Sequence, residues 1–211
     1  MKLQLANGRF KLNNGNPLSN YLIQLGVALK EGHSQEIPKQ TQLLINITNR
    51  PGIRVMEIGF NAGHSADIFL RNNRDLTLVS FDIGEHGYVS IAKDYIDSMY
   101  PRRHTLVLGN STVTIPNYIK DNGDKKFDVI FVDGGHDYDT ANTDVANCMQ
   151  LAHRDTVVVL DDTVYTNGWQ EGHTVGPTKV WTEYLNTGKI VELGREDYRN
   201  GRGMSWGKYR F

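Results

Sequence analysis

A chain of 211 residues can build one substantial core and is short for two. Its 39% hydrophobic and 22% charged residues suit a folded globular protein and exclude a disordered one. The formal net charge of -1 offers no long nucleic-acid surface, and the lone Cys148 excludes an internal disulfide framework and a multi-cysteine metal cluster.

Residues 1–20 are rich in Asn and Gly and read as an extended arm closed by Pro17. They carry no long apolar run, so neither a signal peptide nor a membrane segment is expected, and the expected location is intracellular, in the cytoplasm. Leu18, Leu22, Leu25, Val27 and Leu29 give a helical pattern over 18–31, ended by Gly32. Pro38 opens a second helix over 38–49, and Pro51-Gly52 punctuates its end.

From residue 53 short apolar runs alternate with amphipathic stretches. The runs are Arg54–Ile58, Leu76–Phe81, Thr105–Leu108, Phe127–Val132 and Thr156–Leu160, with helices predicted at 64–72, 88–100, 111–120 and 138–151. Runs that are apolar throughout suit parallel strands covered on both faces, and the cadence is that of an open sheet with right-handed crossovers. Lys189–Leu193 and Met204–Tyr209 read as two final strands. The link Arg199-Asn200-Gly201-Arg202-Gly203 is too short for a crossover helix, so these two should be antiparallel neighbours. The predicted class is therefore α/β, doubly wound, with a mostly parallel sheet and an antiparallel last strand. The stretch 163–178 has no clear period and is read as a functional loop. Cys148, in a helical pattern with Val145 and Met149, is read as an inert core thiol.

The first predicted strand ends in Glu57-Ile58-Gly59-Phe60-Asn61-Ala62-Gly63-His64-Ser65. Gly59 and Gly63 permit a tight turn and close approach of backbone to a ligand. Asp82 ends the second strand, where an acid can accept both hydroxyls of a ribose. NAD would satisfy that acid too. However, the pattern G-x-N-x-G departs from the dinucleotide fingerprint, and no further anion site for a pyrophosphate is evident, so an adenosyl thioether is favoured.

The run Glu57–Gly63 resembles the first motif of the class I S-adenosylmethionine-dependent methyltransferases, whose fold is a Rossmann-like methyltransferase sheet. In that family the glycines pass under the amino-acid part of the cofactor. The resemblance covers 38–211 and implies a donor-binding set of Glu57, Gly59, Asn61, Gly63, Asp82, Ile83, Asn110, Ser111 and Asp133. Asp82 matches the ribose acid, Ile83 packs against the adenine face, and Gly109-Asn110-Ser111 falls near the adenine. Ser111 also suits the role of a helix cap.

The fourth strand ends in Asp133-Gly134-Gly135-His136 and the fifth in Asp161-Asp162. Neighbouring strands would bring Asp133, Asp161 and Asp162 together at the ligand-binding edge of the sheet. Close acids repel, and a divalent cation with oxygen ligands, Mg2+ or Mn2+, resolves that cost. Helix capping or an arginine partner, with Arg195 and Arg199 as candidates, is the bland alternative. Phe131–Tyr138 resembles the metal-dependent sugar O-methyltransferase branch, which implies Asp133, Asp161 and Asp162 as metal ligands and His136 as general base, with Asp133 beside it in the catalytic pair. An imidazole, with a reference pKa of about 6.5, suits that task.

The expected activity is S-adenosylmethionine-dependent, metal-assisted O-methylation of a small molecule or glycan hydroxyl. A catechol-like acceptor is the runner-up, and a non-catalytic module of the same fold is the alternative of a different class. Nucleic acid is not an expected partner. Trp169 and Trp181 are candidates for an apolar wall against a sugar ring. Domain organisation reads as an N-terminal arm and helix over 1–37, then the methyltransferase domain over 38–211. The first segment is expected to serve as a homo-oligomer arm, a substrate lid or a link to a neighbouring domain in a longer chain.

Overall fold

The apolar runs assemble into one sheet in a computed structural model that describes residues 16–166, 171–198 and 201–211. Its strands are Arg54–Ile58 (β1), Thr77–Asp82 (β2), His104–Leu108 (β3), Phe127–Val132 (β4), Ala152–Asp161 (β5), Ile190–Tyr198 (β6) and Arg202–Tyr209 (β7). They lie in the order β3-β2-β1-β4-β5-β7-β6. Every pair from β3 to β5 is parallel, while β7 is antiparallel to both β5 and β6. The last strand is thus the reversed one, as its short link to β6 predicts.

The helices are Pro17–Gln24 (α1), Pro38–Ile47 (α2), His64–Asn72 (α3), Tyr88–Met99 (α4), Ser111–Asn122 (α5), Tyr138–Met149 (α6) and Gly172–Asn186 (α7). Strand alternation divides the interior into two cores. Val129 and Phe131 face one side with Leu44, Phe69 and Ile96; Ile130 and Val132 face the other with Val145, Cys148, Val180 and Trp181. Leu18 and Leu22 of α1 are buried in the first of these cores. Cys148 is a buried free thiol whose pKa burial pushes well up, as an inert core cysteine requires.

β1 pairs with β2 on one side and β4 on the other, which makes a topological switch point. There the strand ends diverge and leave a crevice. The register sets Ile58 beside Val132 and Val132 beside Leu160. Gly59 and Asp133 therefore leave their strands at the level of Asp161, the last residue of β5.

Three expectations change. The first helix stops at Gln24 instead of continuing to 31, because Gly26 adopts φ +74°. The stretch 163–178, expected as a loop, gives way to α7 at Gly172. Gly172, Gly176, Pro177 and the β-branched Thr174, Val175, Thr178 and Val180 hide that helix from propensity, and burial of Thr174, Gly176, Pro177, Val180 and Trp181 outweighs it. Trp181 is no wall for a sugar: it is fully buried, with its indole Nε1 donating to Glu192 Oε2 at 2.9 Å. Trp169 and Arg199 lie outside the described residues. Among the described residues no helix is long and apolar enough to cross a membrane.

Candidate active site

A cavity of about 770 Å³ opens over the carboxyl ends of the central strands. Its floor begins at the glycine turn. Gly59 has φ +92°, and a Cβ there would stand 1.8 Å from the Asp133 carbonyl oxygen, so only glycine lets β1 and β4 close at this point. Asn61 also takes positive φ, +48°, and Gly63 starts α3 from a left-handed conformation.

The turn clamps the acid that follows it. The Asn61 backbone N–H donates to Asp82 Oδ2 and that of Gly84 to Oδ1, each at 2.7 Å. Asp82 is thereby fixed by backbone, and it lines the cavity. Ile83, at 63% exposure, lies beside it on the cavity wall. Asn110 and Ser111 line the cavity at the start of α5, where the Asn110 side chain caps the helix through Thr112 N at 2.9 Å. Behind them Asp144 is fully buried; burial pushes its carboxyl up to about 6, with the Ser111 hydroxyl opposing.

Glu57 and Gly63 stand behind this wall and do not line the cavity. The fully buried Glu57 carboxyl accepts from the hydroxyls of Ser65 on α3 and Ser80 on β2, the latter at 2.6 Å. It ties three elements together under the turn. Burial raises it to about 7 against the pull of both hydroxyls.

The second cluster combines Asp133, His136 and Asp162, which bring one potential ligand atom each within 4.8 Å of one another. His136 Nε2 lies 3.0 Å from Asp162 Oδ2, and that hydrogen bond raises the imidazole pKa against the effect of burial. Asp133 lines the cavity. Desolvation, then the neighbouring Asp162 charge, pushes it well up, with Arg202 opposing. Asp162 holds φ +56°, a conformation that costs a non-glycine residue of order 1–3 kcal/mol.

Asp161 does not join that trio. It shares the strand face of Val159, towards α2, where Gln40 Nε2 donates to its Oδ2 at 2.6 Å; its Oδ1 accepts from Asp162 N at 3.0 Å. Burial and then the Asp133 charge push it well up. Arg195 is no partner of the acids: it meets Glu192 at 3.4 Å and the Tyr165 ring at 4.3 Å, while Arg202 is the guanidinium whose charge reaches them. Tyr138 turns to Glu183 at 2.5 Å, and Asp137 caps α6 through Thr140 N at 2.9 Å, as a helix-start acid should.

His173, on the first turn of α7, was not legible as a site residue. Its Nε2 lies 3.8 Å from Asp162 Oδ1, and its ring centroid 5.6 Å from that of His136. Gly176 makes this possible, because a Cβ there would stand 2.2 Å from the His136 carbonyl oxygen. The helix packs directly on the backbone that carries His136.

Residues 56–163, just over half the chain, match the family model described as a methyltransferase domain. No curated protein matches the chain by sequence. Among solved structures, an O-methyltransferase from Bacillus cereus in complex with SAH superposes with a TM-score of 0.70 at 15% identity, over 90% of each chain. The SAH-bound methyltransferase PaMTH1 of Podospora anserina gives 0.63 at 17%, over 84% of each chain. A TDP-rhamnose 3'-O-methyltransferase of calicheamicin biosynthesis gives 0.63 at 16%, over 92% of this chain and 88% of the other. At such identities these neighbours establish the fold, and it is the family match over the glycine turn and both acid-bearing strand ends that makes the chain a member of the methyltransferase-domain family.

Proposed function

We propose that the protein is an S-adenosylmethionine-dependent O-methyltransferase acting on a hydroxyl of a sugar or glycan. The observation that carries this reading is the His136–Asp162 pair, 3.0 Å apart, in the same cavity as the backbone-clamped Asp82. Asp82 binds the two ribose hydroxyls, the Gly59–Asn61 turn leaves room for the chain that leads to the sulfur, and Ile83, Asn110 and Ser111 border the adenine. The donor supplies an electrophilic methyl group. Asp162 holds the proton on His136 Nε2, which leaves Nδ1 to accept the proton of the acceptor hydroxyl, and Asp162 stabilises the resulting imidazolium. Holding the acceptor oxygen in line with the donor accounts for most of the rate.

The acceptor end of the cavity carries Asp133, His136, Asp162, His173 and Arg202. Such a polar rim suits a polyhydroxyl acceptor better than a catechol ring, which remains the runner-up. The sugar O-methyltransferase among the structural neighbours is consistent with that choice.

A cation-assisted variant is favoured by one observation, the convergence of Asp133, His136 and Asp162 within 4.8 Å. The carboxylates of Asp133 and Asp162 fit Mg2+ or Mn2+, with His136 beside them left to act as the base and Asp161 available only if Gln40 releases it. A bound cation would lower the cost of forming the acceptor oxyanion. The test is turnover over a panel of sugars and catechols after exhaustive metal removal, with residual metal measured by elemental analysis. Loss of turnover that Mg2+ or Mn2+ restores supports cation assistance. Full activity without metal leaves the His136–Asp162 pair as the base, and no turnover of any hydroxyl acceptor under either condition overturns the O-methyl assignment.

A further inference from the structure

The segment between α1 and α2 reaches the cavity, where Glu31 and Gly32 form part of the lining. Its position is fixed from both ends. Downstream, the His33 ring stacks on that of His64, with centroids 3.6 Å apart and planes 6° from parallel. Gln35 Nε2 donates to the His64 carbonyl and to Asp67 Oδ2, each at 3.1 Å, and Glu36 meets Arg202 at 3.3 Å. Upstream, Ser19 of α1 is hydrogen-bonded to His64 Nε2 at 3.0 Å. The segment is thus riveted to the start of α3, the helix that follows the glycine turn.

These rivets bring Glu31 to the turn itself. Its Oε2 accepts from Asn61 Nδ2 at 3.0 Å, and its Oε1 lies 3.3 Å from His86 Nε2. Asn61 therefore stands between two carboxylates, with Asp82 on its backbone N–H and Glu31 on its side-chain amide. Glu31 lines the same cavity as Asp82, Asp133 and His136. A donor whose ribose sits on Asp82 and whose methyl points to His136 must run its amino-acid chain past this position. The α-ammonium of that chain is a hydrogen-bonding cation, and Glu31 is a carboxylate with unused lone pairs.

We propose that Glu31 completes the donor site by binding the α-ammonium of S-adenosylmethionine, so that the segment before α2 recognises the amino-acid end of the donor. This rests on the donor reading given above. Two ligands separate the two claims: S-adenosylhomocysteine, which carries the ammonium, and 5'-methylthioadenosine, which keeps the adenosine and sulfur and lacks the amino-acid group. Calorimetric titration of wild type and Glu31→Gln with each is the experiment. Glu31 is largely exposed, so the loss is moderated by solvent, and a weakening of about tenfold is expected for S-adenosylhomocysteine. The affinity for 5'-methylthioadenosine should stay unchanged and certifies that the variant pocket is folded. Equal affinity of wild type and variant for S-adenosylhomocysteine, or an equal loss for both ligands, overturns the role of Glu31 alone. Failure of wild type to bind either ligand overturns the donor reading and this inference with it.

Discussion

Replacing Glu57 by glutamine should stabilise the protein at alkaline pH and leave it nearly unchanged at acidic pH. The carboxyl is fully buried and its pKa is raised from 4.5 to about 7. A raised folded pKa means that the stabilising contribution of the protonated form is complete below pH 4.5, declines as pH rises, and is lost above about 7. A difference of roughly 2.5 units, at about 1.36 kcal/mol each, sets the loss at about 3 kcal/mol. Glutamine keeps the shape and never ionises, and its amide can serve the hydroxyls of Ser65 and Ser80, one as acceptor and one as donor. Urea unfolding of both proteins at pH 4.5 and pH 8 measures the effect. The stability difference should be small at pH 4.5 and favour Glu57→Gln by up to about 3 kcal/mol at pH 8. A difference that does not grow with pH, or a variant much weaker at pH 8, would show that the carboxylate is compensated in a way the two hydroxyls do not explain.

Gly176→Ala tests the packing that positions the two histidines. Its Cβ would fall 2.2 Å from the His136 carbonyl oxygen, so α7 or the β4–α6 link must shift by about 1 Å. The expected costs are about 1–3 kcal/mol in urea unfolding and on the order of 10²-fold in kcat; wild-type values for both would rule out that contact. His136→Ala should lower kcat by about 10²–10⁴-fold while donor affinity from calorimetry stays within about twofold, and unchanged kcat would remove His136 from proton transfer.

The sheet was legible because its strands are apolar on both faces, and the reversed last strand because the link after β6 is too short to cross over. The glycine turn and Asp82 were legible for a related reason: close backbone approach and a strand-end acid each demand a specific residue type. α7 was not, since glycine, proline and β-branched residues fill its first turns and only tertiary burial makes it helical. His173 was lost with it. The three acids at the ends of β4 and β5 were expected to converge, yet adjacency in sequence conceals direction. Asp161 keeps the strand alternation and turns to Gln40, whereas positive φ at Asp162 directs it to His136. Glu57 belongs to the motif expected to hold the amino-acid end of the donor; that it does so from behind the wall depends on Ser65 and Ser80, two partners distant in sequence.

The donor site is common to every reading of the acceptor, and calorimetric titration of S-adenosylmethionine into wild type and Asp82→Ala probes it without a substrate. One molecule should bind per chain, and a folded Asp82→Ala protein should lose at least about tenfold in affinity, because the acceptor of two ribose hydroxyls is gone. Absence of binding by wild type at millimolar donor would contradict the assignment of this cavity, and undiminished affinity in Asp82→Ala would contradict the role of the acid on which the donor's orientation depends.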